Sequence, residues 1–471
     1  MTRGPRARAS RYAAWDKRYL WHPFTQQFLW ERERPIVVDS GFGAYFRDVD
    51  GRRYLDGVSS LWVNLHGHRQ PSLDTAVRRQ LSKIAHSTFL GLTHVPGIEL
   101  GRALAAVAPA GLTRTFYSDN GATAVEVALK MAFQLAIETR PGRPPKTEFL
   151  ALRGSYHGDT LGAVSVGSIG AFHSKFRPIL LKNQFAMAPA CFRCPYNRTG
   201  FRHRYRTGET TAMVPKPGDA RPETGCRWEC LGSVKKILDA RRSKLAAAIL
   251  EPVMQAATGM NAMPPGYAAG FQRLCRNAGV PVIADEVATG FGRTGRLFAS
   301  ELENLRPDFL CLAKGLTGGY SPLAATMTTG EVFRAFRAPV KQGRTFFHGH
   351  SYTGHPLGAA AALENLRLIQ STRMVERVRS KARLLKMELQ SLEPLSRVGS
   401  IRQAGLMVGV ELVQDKRTNA PLPAARRTGA AVCRRLLGDG IWLRPLGDTV
   451  VIMPPAVTSD SDVVRIVRRL K

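Results

Sequence analysis

The sequence predicts an α/β protein with a large domain on a mostly parallel sheet and a smaller α/β domain built from both chain ends. Three observations carry this. Helical patterns alternate with short β-rich runs from about residue 71 to residue 471. The runs at 245–250 (LAAAIL), 280–284 (VPVIA) and 309–312 (FLCL) are apolar without alternation, as expected of strands covered on both faces. From about Leu366 the pattern changes to a helix, strands at 406–412 (LMVGVEL) and 449–455 (TVVIMPP), and a final helix.

Taken in order, residues 1–70 form an N-terminal segment that joins the small domain, with short strands over 36–62 around the turn Asp50-Gly51. Residues 71–365 form the large domain. Within it, 125–134 (VEVALKMAFQ) has the spacing of an amphipathic helix. The stretch 187–232 is rich in Pro, Arg, Gly and Cys and lacks periodicity, so it reads as an insertion or lid. Residues 366–471 complete the small domain.

With 471 residues, 44% of them hydrophobic, the chain has room for two or three domains. Lys and Arg number 68 against 36 Asp and Glu, a net charge of +32. The basic residues are scattered and no aromatic-interleaved basic stripe occurs, which argues against specific nucleic-acid binding. No apolar run reaches the roughly 18 residues of a membrane span, and no apolar stretch follows the basic N-terminus. A cytoplasmic enzyme is the expectation. Seven cysteines, an odd count, suggest reduced thiols.

Four elements carry chemistry. Lys314 follows the apolar run at 309–312 and precedes a glycine-rich turn (CLAKGLTGG). A lysine at a strand end of an open α/β sheet faces a cleft, and when desolvated it can form a Schiff base with an aldehyde. Asp285 ends the run at 280–284, one strand–helix–strand step earlier, where a carboxylate can pair with a protonated pyridine nitrogen. The run Ser118-Asp119-Asn120-Gly121-Ala122 opens the helix at 125–134, and amides at a helix N-terminus suit a phosphate. Tyr156, in YHGD, offers a ring to stack on an aromatic ligand. Each has a plain alternative: a snorkelling lysine, a helix-capping carboxylate, an ordinary N-cap, a core aromatic.

Together these elements resemble the class III aminotransferases, pyridoxal-phosphate enzymes of fold type I. The resemblance rests on IADEVATGFGRTGRLFA (283–299), PDFLCLAKGLTGG (307–319) and FFHGHSYTGHPLGAAAA (346–362), in the family's order. WHPFTQ (21–26), LDGVSSLWVNLHGHRQPSL (55–73) and WLRPLGDTVVIMPP (442–455) are most similar to the family's biotin-biosynthesis branch. That branch aminates 7-keto-8-aminopelargonate (8-amino-7-oxononanoate) to 7,8-diaminopelargonate. The amino donor so implied is S-adenosylmethionine, with lysine as the alternative.

The resemblance implies roles residue by residue. Lys314 is the Schiff-base lysine and proton carrier. Asp285 partners the pyridinium, Gly121 and Ala122 bind the phosphate, and Tyr156 stacks on the ring and contacts substrate. Ser351 reaches the phosphate of a neighbouring subunit's cofactor, with His350 beside it and Gly349 on the substrate side, which implies a homodimer with shared sites. Glu251 lies near the cofactor's active face. Arg444 pairs with the keto acid's carboxylate, and Trp62 walls the channel. Two positions depart from members that use S-adenosylmethionine and often read WHPYT and SSWW: Phe24 lacks the phenolic hydroxyl, and Leu61 replaces the first tryptophan.

The spacings C-x2-C at Cys191 and Cys194 and C-x3-C at Cys226 and Cys230 come close to a structural zinc site. The reaction needs no metal, so free thiols are the expectation and zinc the weaker candidate. Two other functions compete: a class III ω-aminotransferase acting on a diamine, γ-aminobutyrate or ornithine, and a non-catalytic polyanion binder suggested by the charge.

Overall fold

The computed structural model describes residues 5–196 and 226–471, with side chains from Ala9 onward. A seven-stranded sheet organises the large part of the chain. Its spatial order is Leu112–Ser118, Ala324–Thr329, Phe309–Leu312, Val282–Asp285, Leu245–Leu250, Glu148–Leu152 and Gln184–Ala186. Only Ala324–Thr329 runs against its neighbours. The three apolar runs read as buried strands are strands, and Leu245–Leu250, Val282–Asp285 and Phe309–Leu312 are buried throughout. The helix Gly121–Glu138 covers one face through Ala124, Val125, Ala128 and Ala132, small residues that let it lie close to the strands.

The sheet's parallel strands end together, which places Glu251, Asp285 and Lys314 along one edge. Asp285 is in register with Cys311 on the adjoining parallel strand, so Lys314 follows just beyond it.

The chain ends meet. Val38–Phe42, Tyr45–Asp48 and Arg53–Asp56 form an antiparallel sheet extended by Ile441–Trp442, which pairs with Leu55 and Asp56. A second C-terminal sheet holds Val398–Ala404, Met407–Asp415, Thr449–Ile452 and Arg444–Leu446. The helix Met374–Leu389 packs on the last helix, Asp460–Leu470.

One local expectation fails. Residues 59–62 were expected to be extended but form a tight helical turn, with positive φ at Ser59, Ser60, Leu61 and Trp62. The Asp56 carboxylate causes it by accepting from the Ser60 amide (2.9 Å) and hydroxyl (2.7 Å). Of the insertion read at 187–232, residues 197–225 lie outside the described residues. Its near side forms a short turn at Cys191–Arg193, and its far side leads into the helix Glu229–Arg241.

Candidate active site

Lys314 sits where the strand Phe309–Leu312 stops. Ala313 is still extended, but Lys314 takes φ 44°, a left-handed conformation that costs a non-glycine residue of order 1–3 kcal/mol. Asn365, fully buried, holds this turn. Its amide donates to the carbonyls of Gly315 (2.8 Å) and Leu316 (2.9 Å), and its Oδ1 accepts from His66 Nε2 (3.0 Å). Burial pulls His66 down to about 4, so this clamp carries no charge.

The lysine ammonium lies 4.9 Å from the centre of the Trp62 ring. Desolvation lowers its pKa. The nearby charges of Asp285 and Glu251 raise it again, and Arg293 adds to the lowering. An ammonium placed in this way gives up its proton more readily than a solvated lysine.

Asp285 is buried. Its Oδ2 accepts from His157 Nδ1 at 2.7 Å, and its Oδ1 accepts from the Val287 amide at 3.0 Å. Glu251 closes the adjoining strand. It accepts from the amides of Tyr156 (3.1 Å) and Ala256 (3.0 Å), and burial pushes it up to about 7. His157, Tyr156 and Glu251 therefore form one hydrogen-bonded wall on Asp285.

The turn before Gly121–Glu138 is a capping box. Asn120 Oδ1 accepts from the Thr123 amide (3.1 Å), and the Asn120 amide donates to Thr123 Oγ1 (3.2 Å). The amides of Gly121 and Ala122 have no partner among the described residues. Ser118 Oγ, buried at the end of its strand, is also unpartnered. A Cβ on Gly121 would stand 2.6 Å from Val287, and one on Gly158 would stand 2.3 Å from Ala122. The loop at 156–159 and the residues after Asp285 thus press onto the start of this helix, and only glycine fits there.

The remaining expected site residues are placed as follows. Tyr156 donates to Asp159 Oδ2 (2.6 Å), and its ring meets Phe24 edge-on at 6.5 Å. Phe24 and Leu61 are exposed, and both have left-handed backbones. Gly349, His350 and Ser351 lie on a solvent-facing stretch next to exposed Phe347 and Tyr352. His350 Nε2 is 3.9 Å from Asp119 Oδ1, which brings this stretch to the capping turn. Arg444 opens its strand as an exposed residue, without an ion pair or hydrogen bond from its guanidinium among the described residues.

No disulfide joins any of the seven cysteines. Among the described residues no three His, Cys, Asp or Glu side chains gather as a metal site. Burial, reinforced by Cys191, Cys226 and Cys194, pushes Cys230 up to about 12.

Sequence reasoning did not single out His157, Asn365 or Arg293. His157 lay inside YHGD, where attention fell on the tyrosine. Arg293 lay inside GFGRTG with no role assigned. It is buried and donates to Ser59 Oγ (3.1 Å), Asn64 O (2.9 Å) and Pro454 O (3.1 Å). It thereby fastens the strained turn at 59–62 to the C-terminal part of the chain.

Comparisons with known proteins point to one family. A model of the family described as Aminotransferase class-III matches residues 29–471. The adenosylmethionine-8-amino-7-oxononanoate aminotransferase of Geobacter sulfurreducens is 43% identical over 447 residues, covering 95% of this chain and 93% of that protein. The protein of the same name from Aquifex aeolicus is 42% identical over 457 residues, covering 97% and 95%. The crystal structure of the Methanocaldococcus jannaschii protein of that name superposes with a TM-score of 0.88 at 36% identity, covering 98% of each chain. The omega transaminase of Pseudomonas jessenii, solved in complex with PMP, gives 0.87 at 29% identity, covering 97% and 96%.

Proposed function

The chain belongs to the class III aminotransferases, whose cofactor is pyridoxal phosphate, and on that premise we propose that it aminates 7-keto-8-aminopelargonate to 7,8-diaminopelargonate in biotin biosynthesis, in the cytoplasm. We further propose S-adenosylmethionine as the amino donor. The observation that carries both is the near full-length similarity, above 40% identity, to proteins named for that substrate and that donor.

The site's chemistry fits the cofactor. Ser118 Oγ and the free amides of Gly121 and Ala122 suit its phosphate. Asp285, fixed by His157, suits the protonated ring nitrogen. When bound, pyridoxal phosphate supplies an aldehyde that captures an amine and a cationic ring that accepts electrons.

The protein's own residues do the rest. Lys314, its ammonium made a weaker holder of its proton by burial, would hold the cofactor and carry the proton from the donor's α-carbon. Glu251 fixes the Tyr156 backbone through its amide, so that the Tyr156 ring would lie against the cofactor's ring. Arg444, without an ion pair or hydrogen bond from its guanidinium among the described residues, is available to a substrate carboxylate. Gly349, His350 and Ser351 reach the neighbouring subunit's site in a homodimer. In support of that assembly, Phe347 is 82% exposed and Leu90 89% exposed, more apolar surface than a lone subunit favours.

The substrate assignment is tested by single turnovers of the amine-loaded enzyme, followed by the return of the aldehyde absorbance. We expect fast turnover with the keto acid and slow turnover with the aldehydes derived from γ-aminobutyrate, ornithine or diamines. The opposite order refutes the assignment.

A further inference from the structure

The helix Gly121–Glu138 serves two places at once. Its first turn carries the amides of Gly121 and Ala122, unpartnered among the described residues. The face turned away from the sheet carries the stretch that leads to Gly349, His350 and Ser351. Glu126, Lys130, Gln134 and Glu138 recur at every fourth residue, so they share that face. The last three hold residues 344–348. Glu138 Oε2 lies 3.2 Å from Arg344 Nε. Gln134 Nε2 donates to the carbonyls of Arg344 (3.3 Å) and Thr345 (3.4 Å). Lys130 Nζ donates to His348 Nδ1 (3.0 Å) and, more weakly, to the Phe347 carbonyl (3.4 Å). The stretch therefore runs back along the helix towards its N-terminus, where His350 Nε2 comes within 3.9 Å of Asp119 Oδ1.

An aromatic stack backs the same stretch. Phe346 stacks on His348 at 5.7 Å and 28°, and the two meet Phe116 at 5.8 Å and 6.0 Å. Phe116 lies on the strand that ends at Ser118, whose hydroxyl is also unpartnered at this turn. Burial and the charge of Lys130 hold His348 below its usual pKa despite Glu126, and His350 adds to the lowering, so the neutral ring accepts at Nδ1.

Beyond His348 the chain closes on itself. The His350 amide donates to Thr353 Oγ1 (3.1 Å), and the Tyr352 amide donates to His350 Nδ1 (3.2 Å). Among the described residues, Lys130 therefore makes the last hydrogen bonds from another element before Gly349, His350 and Ser351.

We infer that Lys130 is a positioning residue for the cofactor's phosphate: it fixes His348 and the Phe347 carbonyl, and so sets where the Ser351 hydroxyl stands. This rests on the aminotransferase reading above, with Ser351 at the neighbouring subunit's site, and deepens it. Lys130 lies nine residues beyond Gly121, about 13 Å along the helix axis. That is too far for its side chain to touch a phosphate at the first turn of its own helix, so it acts through the stretch it holds. The helix that offers amides to a phosphate in one subunit thus steers the hydroxyl offered to the phosphate in the other.

The test is titration of the cofactor-free protein with pyridoxal phosphate and with pyridoxal, which lacks the phosphate, read by the absorbance of the aldehyde bound on Lys314. Wild type, Lys130→Met, Ser351→Ala and the double variant are compared. We expect Lys130→Met to weaken the binding of pyridoxal phosphate by about 3- to 12-fold, up to the span of one net hydrogen bond. Pyridoxal should stay within about twofold of wild type, as for a neutral surface substitution. Ser351→Ala should show a loss confined to pyridoxal phosphate, and the double variant should bind no more weakly than Ser351→Ala, because two residues acting through one contact are not additive. Unchanged affinity in Lys130→Met, an equal loss for pyridoxal, or losses that add in the double variant overturns the inference. If Lys130→Met does not fold, Gln134→Ala carries the same expectations. A wild type that takes up pyridoxal phosphate but does not aminate the keto acid would instead refute the substrate assignment, and the titration would still judge Lys130.

Discussion

Asp285 Oδ2 and His157 Nδ1 share a 2.7 Å hydrogen bond inside the protein, and it joins the loop at 156–159 to the strand Val282–Asp285. The histidine sets the direction of the carboxylate and, through the packing of Gly158 on Ala122, the position of the helix N-terminus.

Replacing His157 with Ala removes one partner of a buried carboxylate, a change of about 1–3 kcal/mol. We expect cofactor affinity to fall by roughly 5- to 150-fold. Titration of the cofactor-free protein with pyridoxal phosphate measures it. Unchanged affinity would show that the Val287 amide alone orients Asp285.

Lys314→Ala should lose the absorbance of covalently held cofactor while still binding pyridoxal phosphate at the Gly121–Ala122 turn. The transamination rate should fall by at least about 10²- to 10⁴-fold, the span of general acid–base catalysis. A variant that kept the band would place the covalent link on another residue.

Asn365→Ala removes two hydrogen bonds from the lysine turn and leaves His66 Nε2 unpaired in the core. The strained φ of Lys314 then loses its restraint. We expect a loss of about 2–4 kcal/mol of stability, read as a lower melting temperature, together with a slower reaction. Loss of neither would remove Asn365 from the account.

Glu286 and Glu251 are buried acids pushed up to about 7 from a usual 4.5. Such a group binds its proton more tightly folded than unfolded. The folded state therefore carries more protons between about pH 4.5 and 7, and stability falls as pH rises through that window. Each group accounts for at most about 3 kcal/mol. Denaturant unfolding of the cofactor-free protein at pH 5 and pH 8 measures the difference. Glu286→Gln should reduce it, because the side chain no longer ionises; its one carbonyl oxygen accepts from only one of the Ala299 and Ser300 amides, so the variant should also be less stable at both pH values. An equal or steeper loss in that variant would contradict the sign.

Much of the fold was legible because it is written in local pattern. Runs such as LAAAIL and FLCL are short and apolar without alternation, the pattern of strands buried on both faces, and the step from Asp285 to Lys314 set two strand ends side by side. The turn at 59–62 was not legible, because its cause is one carboxylate, Asp56, competing for backbone amides. His157 and Asn365 were missed for a related reason: their partners lie 128 and about 50 residues away in sequence, and no spacing announces such a bond.

The most direct test of the central claim is product analysis. Purified protein with pyridoxal phosphate, 7-keto-8-aminopelargonate and either S-adenosylmethionine or L-lysine is assayed by mass spectrometry for 7,8-diaminopelargonate. We expect the diamine with S-adenosylmethionine, and its absence in the Lys314→Ala variant. No diamine with either donor, from protein that holds its cofactor on Lys314, would contradict the assignment.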